Sequence, residues 1–256
     1  DIHEHLIKFL DMIHNSLSYS IKTKIRGHVR DGRQGYIDRL HVNYYTQYAQ
    51  FCRNAYSEII NHVYFGLSSS ITCYNCNHKS IIFMQECTLF LSINAKNPTL
   101  KGSLDKFMTP EFIDKPNGHT CGNCHHIQHM NKQISLWKIG ETMIFAINRY
   151  DNVGQSVIIP NKLDIKSYMN IHCKGHNTKY KLVTLSCAKK TSEDTHMAYS
   201  VYKNPEGKWL KYDIDNGVQP ANKKIFNDVT IVLYQNVKDE EFIQLSSDME
   251  FPVLDV

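Results

Sequence analysis

Two C-x-x-C pairs constrain this chain more than any other feature. Cys73 and Cys76 lie in TCYNCNH, and Cys121 and Cys124 lie in TCGNCHH. Each pair lets two thiolates turn towards one ion from a tight knuckle, and two knuckles complete a tetrahedral site. Forty-five positions separate Cys76 from Cys121, more than in a compact zinc ribbon. Each knuckle is therefore expected at a hairpin tip, with the intervening chain returning between them. His119, His125, His126 and His129 are close enough in sequence to replace one sulfur. A set of four cysteines and a set of three cysteines with one histidine are therefore both open. With four protein ligands the ion is structural Zn2+, since a catalytic zinc keeps one position free. The remaining cysteines, Cys52, Cys87, Cys173 and Cys187, are scattered singly. Paired knuckles with lone thiols suit a reducing compartment better than a disulfide framework. The chain is expected to be intracellular, cytoplasmic or nuclear.

The rest of the chain reads as helices followed by sheet. DIHEHLIKFLDMIHNSL places Ile2, Leu6, Leu10, Ile13 and Leu17 at helical spacing, and Asp1 with Glu4 has the form of a capping box. GHVRDGRQG reads as a turn-rich connection. A second helical stretch runs through YTQYAQFCRNAYSEIINHVYFG and is expected to stop near Gly66. From Ser70 the period becomes strand-like, with one short helical piece around GSLDKFMTPEFI. After the second knuckle come QISLWKI, TMIFAINRYD, YKLVTLSCA, HMAYSVYKN, KWLKYDI and VTIVLYQ, short β-rich runs broken by Gly, Pro, Asn and Asp. This order predicts an α+β fold with a mostly antiparallel sheet. The 256 residues carry 29 Lys and Arg against 25 Asp and Glu. That balance, without a basic–aromatic stripe, argues against a nucleic-acid partner. No apolar run reaches the ~18 residues of a membrane helix and no signal peptide is evident, so no membrane association is expected. The first residue is Asp1 and not Met, which suits a fragment or a processed product.

The stretch THMAYSVYKNPEGKWLKYDID places His196 at the start of one strand, a turn at Asn204 to Gly207, and Asp213 and Asp215 near the end of the return strand. Residues near the outer ends of hairpin strands face each other across the ladder. An imidazole held by a carboxylate is kept in one tautomer and becomes a better base for a thiol or hydroxyl nucleophile. By itself the pattern is weak, because most histidines and aspartates at hairpin ends are simply solvated.

The ordered set of segments resembles the catalytic domain of ubiquitin-specific proteases over nearly the whole chain. DIHEHLIKFLDMIHNSL is similar to that family's Asp-x-His-Glu-x-Leu helix, and AYSEIINHVYFG to the segment leading into its zinc fingers. SLDKFMTPEFI, TMIFAINRYDN, SVIIPNKLDIKSYM, THMAYSVYKN, KWLKYDID and VTIVLYQ follow in the family's order, around both knuckles. The resemblance implies a papain-like cysteine protease fold of the fingers–palm–thumb type, truncated in the thumb, with a four-cysteine zinc ribbon in the fingers. It divides one structural domain into a helical remainder of the thumb (1–66), a zinc-bearing fingers region (67–135) and an antiparallel β palm carrying the His/Asp pair (136–256). It makes His196 the general base, Asp213 its orienting acid, and Asp215 a second acid or the alternative. Cys73, Cys76, Cys121 and Cys124 become the zinc ligands. Asp1, Thr195 and Met197 become contacts to the substrate tail, although Thr195 replaces the family's Gly and Met197 its Tyr.

The resemblance also puts the nucleophilic cysteine upstream of Asp1. None of the chain's own thiols suits the role: Cys52 falls inside a helix pattern, Cys87 in a strand, and Cys173 and Cys187 belong to the palm. The expectation is the C-terminal part of a deubiquitinating cysteine protease, its thiol supplied by a missing N-terminal segment or a second chain, with ubiquitin or a ubiquitinated protein as partner. The alternative is a catalytically inactive relative that serves as a ubiquitin- or protein-binding scaffold. A third possibility is a zinc-ribbon module with no link to ubiquitin.

Overall fold

The apolar stripe of the N-terminal segment forms helix α1 (Ile2–Leu17) in the computed structural model, which describes residues 2–115, 120–150, 154–191 and 196–250. Leu10 is buried against Val63, Ile144 and Ile231, with Ile2 and Leu6 packed at the margin. Glu4 pairs with Lys8 at 2.8 Å, a solvent-screened surface contact that adds little to stability. Its capping-box partner Asp1 lies outside the described residues. Leu17 is exposed, because the chain leaves the helix there to pair with a later segment.

The second helical stretch differs from the sequence expectation at both ends. Helix α2 (Gly32–Cys52) begins inside the expected turn region, and the chain is not helical again until α3 (Glu58–Val63). A two-way backbone bridge causes the break. Tyr19 and Tyr56 exchange N–H···O bonds of 2.9 Å each, and Ser57 is extended. Gly66 does not stop a helix. It lies in strand β1 (Phe65–Cys73), where a Cβ would sit 2.5 Å from the Tyr44 hydroxyl. Tyr44 is fully buried from α2, so its ring leaves no room for a side chain at Gly66. Gly66→Ala is expected to destabilise the protein by about 1–3 kcal/mol, read as a fall in melting temperature of roughly 2–4 °C per kcal/mol.

The later elements are β2 (Lys79–Glu86), β3 (Leu89–Ser92), α4 (Leu100–Met108), β4 (Glu111–Ile113), β5 (Met130–Lys138), β6 (Thr142–Asn148), β7 (Lys162–Asp164), β8 (Lys179–Lys190), β9 (His196–Lys203), β10 (Trp209–Asp213), β11 (Gly217–Pro220), β12 (Val229–Asn236) and α5 (Asp239–Gln244). They build two sheets. The smaller has the order β2-β1-β5-β4 and is antiparallel throughout. The larger runs β11-β10-β9-β8-β12-β6-β3, with β7 added beside β8. Its β3–β6 pair is parallel. The 67–135 region divides between the two sheets. Strands β1, β2, β4 and β5 form the smaller one, whereas Leu89, Leu91, Leu100 and Leu104 enter the core of the larger. That core also takes Phe65, Leu67 and Leu136 from the base of the smaller sheet, so one hydrophobic interior joins both.

Candidate active site and metal centre

The two knuckles meet at the far end of the smaller sheet. β1 ends at Cys73, and the register pairs Cys73 with Met130. The same local geometry occurs twice. The Cys73 N–H donates to the His78 carbonyl (2.9 Å) and the Asn77 N–H to the Cys73 carbonyl (2.9 Å). In the second knuckle the Cys121 N–H donates to His126 (3.0 Å) and the His125 N–H to Cys121 (2.9 Å). The residue following each second cysteine has a positive φ, 55° at Asn77 and 57° at His125, a conformation that Asn and His tolerate better than most residues. The four Sγ atoms all lie within 4.8 Å of one another. Sγ–Sγ distances are 4.0 Å for Cys73–Cys124 and 3.6 Å for Cys76–Cys121. A tetrahedral ion with bonds of about 2.3 Å requires about 3.8 Å, so the four sulfurs fit one ion. The Cys76 thiol is drawn down to about 6, chiefly by the His78 amide and then by Asn123. Among the described residues no histidine joins this cluster. His129 is engaged with Asp114 at 2.8 Å, and His119 lies outside the described residues.

His196 opens β9 as an exposed side chain opposite Lys190 of β8. The hairpin turn forms as expected, with the Gly207 N–H on the Asn204 carbonyl (2.9 Å) and Gly207 at φ 85°. The pleat then separates the two candidate residues. β9 keeps an unbroken register with β8 from His196 to Tyr202, and Lys211 of β10 stands opposite Val201. Side chains alternate along a strand, so Asp213 shares its face with Tyr199 and Val201, whereas His196 shares the other with Ala198. Asp213 is 1% exposed. The Asn216 backbone N–H and Nδ2 both donate to its Oδ1 at 2.8 Å, and the Lys211 ammonium stands 3.0 Å from Oδ2. Lys211 first, then the Asn216 amide, hold the carboxyl below the ordinary carboxylate range. Asp215 lies exposed on the turn to β11. Met197 is half-buried opposite Lys189. Asp1 and Thr195 lie outside the described residues.

His196 looks into a cleft of about 1070 Å³ that the start of α1 shares with the large sheet, lined in part by His3, His5, Phe90, Arg149 and Asp228. Arg149 and Asp228 were not legible as site residues. The Arg149 guanidinium donates to the carbonyls of Val229 (2.8 Å), Phe226 (3.0 Å) and Gln155, fixing the chain on both sides of Asp228. The Tyr199 hydroxyl donates to Asp228 Oδ2 at 2.7 Å. Burial, with Cys187 and Asp228 adding to it, pushes the Tyr199 phenol far up, so it remains a protonated donor. None of the four scattered thiols lines the cleft. Burial raises Cys52 and Cys87, and pushes Cys173 and Cys187 up to about 12. That is the wrong direction for a thiolate nucleophile.

The family described as ubiquitin carboxyl-terminal hydrolase matches residues 1–240. The probable ubiquitin carboxyl-terminal hydrolase 16 of Schizosaccharomyces pombe is 23% identical over 188 residues, covering 69% of this chain and 40% of that protein. Ubiquitin carboxyl-terminal hydrolase 23 of Arabidopsis thaliana is 27% identical over 199 residues, covering 73% of this chain and 22% of that protein. The chain thus spans less than half the length of these relatives. Among solved structures, the SAGA DUB module of Ubp8, Sgf11, Sus1 and Sgf73 bound to monoubiquitin aligns with a TM-score of 0.61 at 20% identity, covering 81% of this chain and 49% of the other. A second structure of that module gives 0.65 at 19% identity, covering 93% and 50%. At this identity they establish a shared mixed α+β fold.

Proposed function

The chain belongs to the ubiquitin carboxyl-terminal hydrolase family, and from that premise we propose that it is the palm and fingers of a deubiquitinating cysteine protease acting on ubiquitin isopeptide bonds. The observation that carries this is the placement of His196 at the strand edge of a deep cleft between α1 and the large sheet. A thiol from a segment outside these 256 residues, or from a second chain, enters that cleft and gives its proton to His196. The thiolate attacks the carbonyl of the modifier's terminal glycine. His196 then protonates the leaving lysine amine, and water hydrolyses the thioester. The turn Asp213–Asp215 supplies the orienting acid. For Asp213 to serve, the start of β9 must rotate so that the imidazole reaches the face where Asn216 and Lys211 now hold the carboxylate. Asp1, Thr195 and Met197 contact the modifier's tail. In this division residues 1–66 belong to the thumb, 67–135 to the fingers and 136–256 to the palm. The four knuckle cysteines hold a structural Zn2+, which fixes the fingertips and leaves the chemistry to the cleft. Eight cysteines without a disulfide among them suit a reducing compartment, cytoplasmic or nuclear. No described helix is long and apolar enough to cross a membrane.

The opposed faces of His196 and Asp213 favour a second reading, a scaffold that binds ubiquitin without cleaving it. The full-length protein from its native source, treated with ubiquitin carrying a C-terminal electrophile, separates the two. Under the protease reading a covalent adduct forms and maps to a cysteine outside these 256 residues. Reversible ubiquitin binding without an adduct identifies the scaffold, and the absence of both rejects the two readings together.

A further inference from the structure

Asp228 lies on the same cleft as His196, two strands away. β9 pairs with β8, and β8 pairs with β12, whose first residue follows Asp228. Neighbouring strands are ~4.8 Å apart, and Asp228 is level with Ala188, two residues along β8 from the Lys190 that stands opposite His196, so the two positions are separated by about 12 Å. That is the span of roughly three residues of extended chain. One bond holds the carboxylate and several more fix the backbone that carries it. The buried Tyr199 donates its hydroxyl to Oδ2, and the Lys211 ammonium sits 4.4 Å over the Tyr199 ring. Arg149 clamps the carbonyls of Phe226 and Val229 on either side. The Ala188 N–H donates to the carbonyl of Asp228 itself at 2.8 Å. Among the described residues no hydrogen bond reaches Oδ1, and Asp228 is the one acid lining the cleft. A fixed carboxylate oxygen with an unused lone pair, facing a groove open to a peptide, is an acceptor for a substrate N–H.

We propose that Asp228 is a substrate-positioning residue whose Oδ1 accepts a backbone N–H of the extended tail, about three residues from the bond presented to His196. The inference rests on the hydrolase reading above. It assigns Asp228 a part separate from that of Asp213 and Asp215, which stand at the far edge of β9. Preorganisation by Tyr199 and Arg149 means little ordering is needed when the tail arrives.

The test uses the full-length protein with ubiquitin-7-amido-4-methylcoumarin as probe. A hydrogen bond to a charged acceptor, made alike in ground and transition states, appears in KM. Asp228→Ala is expected to raise KM by about tenfold to a hundredfold, with kcat nearly preserved. Asp228→Asn, which keeps a neutral acceptor, recovers part of that loss. Tyr199→Phe, which keeps the carboxylate and removes its anchor, falls between. Melting temperatures accompany each variant, and if Asp228→Ala does not fold, the other two decide. An unchanged KM across the folded variants overturns the inference and leaves the hydrolase reading standing, as does a loss confined to kcat. If the wild type turns nothing over, the hydrolase reading fails. The calorimetric affinity for ubiquitin of wild type and Asp228→Asn then decides: a weaker variant supports the contact, whereas equal affinities or no binding overturn it.

Discussion

Serine at Cys73 is expected to release the metal and unfold the outer half of the smaller sheet. Cys73, Cys121 and Met130 form a small buried cluster with Cys76 and Cys124 at its edge, so beyond the ion little apolar packing holds the fingertips. Structural zinc sites contribute ~10–16 kcal/mol of apparent binding energy in isolated peptides, as much as the whole stability of many domains. The loss should be local. The main core draws on the base of the smaller sheet and on the large sheet, and the knuckles contribute nothing to it. Elemental analysis should give about one zinc per wild-type chain and none for Cys73→Ser. Hydrogen exchange should then rise in β4 and in the knuckle-proximal ends of β1, β2 and β5, while β8 and β12 keep their protection. Cys187→Ser, a buried thiol of the large sheet, should keep its metal. A Cys73→Ser protein with full zinc and an unchanged melting curve would remove the metal assignment.

Alanine at His196 is the second large effect. In the full-length protein it is expected to lower turnover by at least about 10²–10⁴-fold, the usual contribution of a positioned general base, while ubiquitin affinity changes only a few-fold. The exposed imidazole packs into no core, so the variant should melt with the wild type. Asp213→Asn should cost more turnover than Asp215→Asn if β9 rotates to bring imidazole and carboxylate together. Equal, small effects of the two acid variants would mean that His196 works without a carboxylate partner from this turn. Undiminished turnover in His196→Ala would rule the residue out as the base.

Features written into a few consecutive residues could be read from the sequence. The knuckles were legible because each is a local turn: two thiols three positions apart, a residue able to take positive φ immediately after, and backbone bonds confined to the segment. The stripe of α1 and the turn at Asn204–Gly207 were legible for the same reason. The second helix was not, because its start at Gly32 and its break after Cys52 depend on Tyr56 finding Tyr19, a pairing across 37 positions of chain. Gly66 looked like a helix stop because its true constraint, the ring of Tyr44, comes from another element.

The proposed catalytic pair shows the same division more sharply. The 17 positions between His196 and Asp213 placed them at the outer ends of one hairpin. A pleated strand reverses face at every residue, so only the register with β8 and β10 decides that one side chain enters the cleft and the other does not. Asp228 carried no local signal at all. It reaches the cleft because β12 lies beside β8, and it becomes a defined acceptor because Tyr199 and Arg149 arrive from β9 and the end of β6. By itself the sequence marked the two cysteine knuckles, most of the element types and the candidate base. Which carboxylate shares the cleft with that base was left to tertiary structure, because strand order and register are set by the packing of the whole core.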